Sequence, residues 1–168
     1  MVEVTEKQAS AKFRKMNKYN RIAPFLLRLI IGFGFMAHGW AKISRGTGGF
    51  EKLVIQTSVP FPHLSAAITP YIELLGGFAI LLGAFIIITA IPLIVIMLVA
   101  MFTIHIHYGF SSINTIGLTP DGPKFGPPGY EINLLYVAGL ISLMLTGAGS
   151  FSVDSLINMK NKNKLTHS

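Results

Sequence analysis

The sequence predicts an all-α membrane protein. The expected fold is a four-transmembrane-helix up-down bundle with N and C termini cytoplasmic and a short amphipathic helix after the last span. Three observations predict it. First, 51% of the 168 residues are hydrophobic and only 12% are charged, against about 25% charged in an average soluble domain. A soluble chain with so thin a polar coat would expose large apolar patches. Second, four segments approach the roughly 20 apolar residues that a bilayer helix needs. Third, nine of fourteen Lys and Arg sit in two short tails, six within residues 1–21 and three within the last nine. That distribution gives a basic tail at 1–21, a membrane domain at 22–157 and a basic tail at 158–168. The net charge of +7 therefore reads as a topology signal rather than the interleaved basic and aromatic face of a nucleic-acid binder. The absence of cysteine excludes a disulfide scaffold, cysteine-ligated zinc and thiol redox chemistry.

The first span runs from about Ile22 to Ala41, with Asn20 as N-cap and Pro24 in the first turn, where its missing N–H costs nothing. Its apolar stretch is longer than a signal peptide's and lacks an Ala-x-Ala-like exit, which predicts retention. The second runs from about Ser65 to Ile88, starting near Thr69-Pro70 after the Pro60-Phe61-Pro62 break. The third runs from about Ile91 to Tyr108, with Pro92 in its first turn and a short internal turn around Thr89-Ala90 before it. The fourth runs from about Glu131 to Gly149. Basic tails on one side place both termini in the cytoplasm, so the 43–64 and 109–130 connections face outward. Gly46–Thr57 suggests a short surface helix. Four prolines and five glycines in 109–130 argue against regular structure there; the segment is either a lid, with Phe110, Phe125 and Tyr130 folded over the outer mouth, or an exposed linker. Val153, Leu156 and Ile157 give Ser152–Met159 an amphipathic face for the inner surface.

Titratable side chains inside apolar spans are costly and normally face a bundle interior or a wet cavity. Here they are Arg28, His38 and Lys42 on the first span, Glu73 on the second, His105 and His107 on the third, and Glu131 at the start of the fourth. The alternating directions of the spans put all except Arg28 at one depth, in the outer leaflet. His38 and Lys42 are four apart and share a face. Glu73, Gly76, Gly77, Ile80, Gly83 and Ala84 form one stripe, small enough for close helix packing in lipid. Glu131, Leu135, Ala138, Ser142, Thr146 and Gly149 form a comparable one. His105 and His107 point about 200° apart on a helix, so one faces the bundle, assigned to His105, and His107 reaches the interface.

Each residue also has a plainer role. Glu131 suits a helix N-terminus, Lys42 can snorkel to headgroups, and an intramembrane His can be a packing residue. Glu73 is the hardest to dismiss, since a carboxylate among glycines needs a partner or a proton. A haem would call for a flanking slot and a second interior His; a di-iron centre would call for Glu-x-x-His pairs. Haem or a divalent metal is therefore less suited than a quinone, whose carbonyl oxygens an acid, an imidazole and an ammonium can hydrogen-bond while relaying protons. Proton-coupled passage of a small solute would use the same groups.

At these positions the chain resembles the DoxX/DoxD family of small membrane proteins. The resemblance rests on Arg28-x3-Gly32, His38-Gly39-x2-Lys42, Glu73-Leu74-x-Gly76-Gly77 and Leu82-Gly83. It continues through Ala100 and His105 to Gly109-Phe110, then Gly129-Tyr130-Glu131 and Thr146-Gly147-Ala148-Gly149-Ser150-x-Ser152-x-Asp154. It covers roughly residues 22–157; the long basic N-terminal tail and the extended 111–128 loop depart from it. The resemblance implies a four-helix membrane fold and a link to respiratory redox chemistry, as in subunits of thiosulfate:quinone oxidoreductase or quinol oxidase assemblies. It also draws in Arg28 and Asp154, both on the inner side, expected to pair and staple the C-terminal helix to the bundle.

Together these readings predict a multi-pass protein of a bacterial or archaeal cytoplasmic (inner) membrane that serves a quinone-linked redox system, its activity as a catalytic subunit left open. Glu73 is expected as the central acid and proton acceptor, His38 and His105 as hydrogen-bond or relay groups, and Lys42 and Glu131 as the electrostatic rim. Without thiols, electrons must come from a cofactor or a partner, either another redox or respiratory subunit or a second copy of the chain. The competing readings are a non-catalytic accessory subunit of a larger membrane complex and a small-solute carrier.

Overall fold

The computed structural model describes residues 2–165, with side chains described from 22 to 159; the basic side chains of 1–21 and 160–168 lie outside the described set. Its helices are α1 (Val2–Ser44), α2 (Thr47–Gln56), α3 (Pro62–Leu82), α4 (Ile86–Thr103), α5 (Glu131–Thr146) and α6 (Val153–Leu165). A 3₁₀ turn at His105–Tyr108 extends α4, and a hairpin of β1 (Thr115–Thr119) and β2 (Gly122–Phe125) lies between α4 and α5. Residues 22–44 of α1, together with α3 and α4, are long and apolar enough to cross a membrane, and α5 is a shorter apolar helix.

The largest helix interface joins α1 to α3, and glycine makes it possible. A Cβ on Gly32 would sit 2.7 Å from the Gly77 carbonyl, one on Gly77 2.7 Å from the Gly32 carbonyl, and one on Gly39 2.5 Å from the Pro70 carbonyl. The small stripe on α3 therefore lets two backbones touch, as association in lipid requires, and Glu73, Gly77 and Ile80 of that stripe are buried. A core of Ile31, Phe35, Ile80, Ile86, Leu93, Leu140 and Leu143 fills the bundle.

Three element boundaries differ from expectation. α1 passes through Asn20 and holds Pro24 in its interior, because residues 2–19 are rich in Ala, Glu, Gln, Lys, Arg and Met, which propagate a helix well. The turn between α3 and α4 falls at Gly83–Phe85, not Thr89-Ala90: Gly83 takes φ 66° at the α3 C-cap, a conformation glycine adopts without a Cβ penalty. Pro92 thus lies inside α4, which transmembrane helices tolerate. The 109–130 segment is not irregular throughout. Thr115 to Phe125 forms an antiparallel hairpin around Pro120-Asp121-Gly122, a turn signature in which proline presets φ and glycine supplies φ 123°.

At the α3–α4 turn, Arg28 and Asp154 form no direct ion pair among the described residues. Fully buried Arg28 donates from Nη2 to the carbonyls of Ser150 (2.9 Å) and Phe151 (3.0 Å). Asp154 accepts from the Phe85 and Ile86 N–H groups at 2.8 and 3.2 Å, capping α4, while its own N–H donates to the Gly83 carbonyl. The two residues fasten the start of α6 to the bundle through backbone groups instead of through each other. A helix start leaves its first N–H groups without partners, and Asp154 satisfies two of them for α4, while Arg28 bonds carbonyls of the α5–α6 connection.

Candidate functional site

The tight α1–α3 packing brings Lys42 to Glu73. Glu73 is 1% exposed, and Lys42 Nζ donates to both of its carboxylate oxygens at 2.5 Å. A buried carboxylate is tolerated only when paired and hydrogen-bonded, so this contact accounts for an acid amid glycines. The Lys42 ammonium also lies 4.6 Å from the centre of the Phe50 ring, a cation–π contact that ties α2 to the pair.

Lys42 and Glu73 sit at the edge of a cavity of about 1070 Å³ between α3 and α4. Its shape follows from the helices. Near the inner turn α3 and α4 are close, with a Cβ on Gly76 falling 3.2 Å from Leu93. Further out their facing stripes, Ser65, Ile68, Thr69 and Ile72 on α3 and Pro92, Val95, Ile96 and Val99 on α4, line open space. At the outer end α2 and the following turn fill the gap, as Val54, Val59 and Ala66 form a small core with Phe50 and Val99 packed against it. An exposed His63–Glu51 contact of 2.6 Å also links α3 to α2.

His38 lines the same cavity, its ring centre 6.3 Å from that of Tyr136 in an edge-on arrangement. His105 lines it from the 3₁₀ turn, with Nδ1 2.9 Å from the Pro128 carbonyl. A carbonyl only accepts, so this contact selects the Nδ1–H tautomer and leaves Nε2 able to take a proton. His107 is exposed and does not line the cavity. Four of the predicted residues, His38, Lys42, Glu73 and His105, thus converge.

Glu131 does not join them. Its Oε2 accepts from the Ser112 N–H (3.0 Å) and hydroxyl (2.8 Å), holding the outer loop at the start of α5. That loop contributes Pro128 and Gly129 to the cavity wall; Phe110 packs edge-on against Tyr130, and Phe125 is exposed.

Two lining residues escaped the sequence reading. Asn133 is buried and donates to the Met97 carbonyl at 3.3 Å, and Tyr136 stands beside His38. The inward face of α5 runs Asn133, Tyr136, Leu140 and Leu143, whereas Leu135 is exposed. In a uniformly apolar helix the small residues misled the phase; the polar Asn133 was the one reliable marker, since a buried amide needs a partner. No cluster of three or more His, Cys, Asp or Glu side chains able to hold a metal occurs among the described residues.

A helical bundle with an ion pair buried at the edge of a lipid-level cavity defines a small multi-pass membrane protein. The profile of the DoxX family matches residues 23–106, half of the chain, and the protein belongs to that family. It is 27% identical over 145 residues to the inner membrane protein YqjF of Escherichia coli K12, covering 86% of this chain and 99% of that one. It is 26% identical over 140 residues to an uncharacterized protein of Haemophilus influenzae Rd, covering 81% and 83%. No solved structure matches it.

Proposed function

We propose that the protein is a four-span resident of the cytoplasmic membrane, termini inside, whose cavity binds a quinone for a quinone-linked redox system. The similarity to an inner membrane protein supports the location. The fourth span would be α5, whose 16 residues reach about 24 Å, completed by the turn that follows. The observation that carries the binding reading is the make-up of the cavity: a wide apolar wall from α3 and α4, with Lys42 and His38 of α1, Glu73 of α3 and Tyr136 of α5 as its polar groups. Ligand sites combine apolar lining with a few convergent polar groups in this way.

A bound quinone would supply the capacity to take up two electrons and two protons. The chain's part is to bind, orient and provide protons. Lys42 and Tyr136 offer donors to a carbonyl oxygen. His105, fixed by Pro128, exchanges a proton at Nε2, and His38 sits where a proton can pass toward the outer loop. Electrons come from a partner subunit. Substituting Glu73→Gln keeps the shape of the site and removes its acid. With a benzoquinone titrated onto purified protein, binding should weaken about tenfold, the loss of ~1.4 kcal/mol. Unchanged binding with lowered stability would make the site structural.

That second reading has its own support. Both Glu73 oxygens are already taken by Lys42, as in a lock between α1 and α3, and a non-catalytic accessory subunit would need no more.

A further inference from the structure

We propose that the cavity is loaded sideways from the bilayer, through a portal between α3 and α4, by a ligand carrying a long apolar chain. This deepens the quinone reading and rests on the cavity being a binding site.

The portal is visible in the exposure of the wall itself. Ile68 on α3 and Val95 on α4 both line the cavity, yet they are 44% and 53% exposed. Both belong to segments apolar enough to cross a membrane, so their exposed sides face lipid chains. Toward the outer surface, Val54 of α2 and Val59 of the turn after it pack against Ala66 and Val99, and the Pro128-Gly129 segment of the loop lies over His105; Leu53 and Phe61, which also line the cavity at that end, are 39% and 79% exposed. Toward the inner surface, Leu93 packed at Gly76 forms a floor. The side between α3 and α4 is the open one whose two walls both lie in segments apolar enough to cross a membrane.

Volume and polarity then select the occupant. At about 1070 Å³ the cavity exceeds the roughly 300–1,000 Å³ that holds drug-sized molecules. A bare ring seated at Lys42 and Glu73 would leave the apolar stretch along α3 and α4 unfilled. A head with acceptor oxygens and an apolar chain fits both parts: the head meets the ammonium and imidazole groups, and the chain lies along Ile72, Ile96 and Val99 and leaves between Ile68 and Val95.

The experiment uses full-length protein in lipid nanodiscs with three probes: a decyl-substituted benzoquinone, its methyl analogue, and a fatty acid carrying an alkyl diazirine. Ile68→Trp and Val95→Trp place an indole in the portal on its lipid side; Val95→Ala widens it and guards against a variant that fails to fold. The portal predicts that the Trp variants retain the decyl compound about tenfold less, equal to 1.4 kcal/mol, while the methyl compound binds as in the parent and Val95→Ala binds both. Equal binding of the decyl compound in the parent and the Trp variants overturns the portal, as does equal loss of both quinones. If neither quinone binds the parent but the diazirine labels Ile96 or Val99 there and not in the Trp variants, the quinone reading falls and the portal stands. No labelling and no binding in the parent overturns both.

Discussion

Lys42 and Glu73 show how one pair of residues can serve two ends. Removing one partner from a buried ion pair leaves a charge without compensation and costs roughly 3–5 kcal/mol, whereas replacing both by apolar groups of similar size is often neutral. Lys42→Met should therefore lower stability by about 3 kcal/mol, with Glu73 left at 1% exposure and no cation. Adding Glu73→Leu to Lys42→Met should restore most of that loss. Unfolding in mixed micelles of the parent, both single variants and the double variant gives the coupling directly. A coupling near zero would mean that the contact is incidental. Phe50 enters the same cycle, because its ring faces the Lys42 ammonium at 4.6 Å.

Among the elements, the α1–α3 pair decides where those residues meet. Gly32 and Gly77 bring the two backbones into contact, and a single methyl group on either must push a carbonyl. Gly32→Ala should cost about 1–3 kcal/mol by overpacking and should loosen the Lys42–Glu73 contact as well. Amide exchange along residues 70–77 would rise if so; unchanged exchange there would show that the helices find another register. The small stripe on α3 was legible in the sequence because glycine spacing reports backbone approach. The phase of α5 was not, because Leu, Ile and Ala surround it on all sides and hydropathy carries no direction when every face is apolar. The hairpin is marked in the sequence by the Pro120-Asp121-Gly122 turn, but the surrounding prolines and glycines mask the two short strands. Gly83 was likewise visible, and served as a helix stop in place of a packing residue.

For the molecule as a whole, the number of helices that cross the bilayer is a measurable property. Residues 22–44, α3 and α4 are long enough, and α5 is shorter. The chain has no cysteine, so single introduced thiols label without background. In the four-span arrangement, Asp121→Cys in the hairpin turn should react with an impermeant maleimide in intact cells, and Asn158→Cys on α6 should react only after permeabilisation. Both reacting from one side would leave α5 lying on the surface. That His38, Lys42, Glu73 and His105 line one cavity agrees with the common depth expected of them from the order of the apolar segments. That Glu131 belongs to the loop could not be read from the sequence, since depth does not say which way a side chain at a helix start turns. The same limit applies to Arg28 and Asp154, which lie near each other yet bond to backbone groups that no side-chain pattern reveals.

A quinone head at the polar edge of the α3–α4 cavity, as proposed above, should survive purification. Mass spectrometry of protein purified from native membranes measures it, comparing the parent with the Lys42→Met/Glu73→Leu double variant. Quinone should accompany the parent in near-equimolar amount and be lost from a double variant that remains folded. Equal quinone in both, or none in the parent, would refute quinone binding at this site.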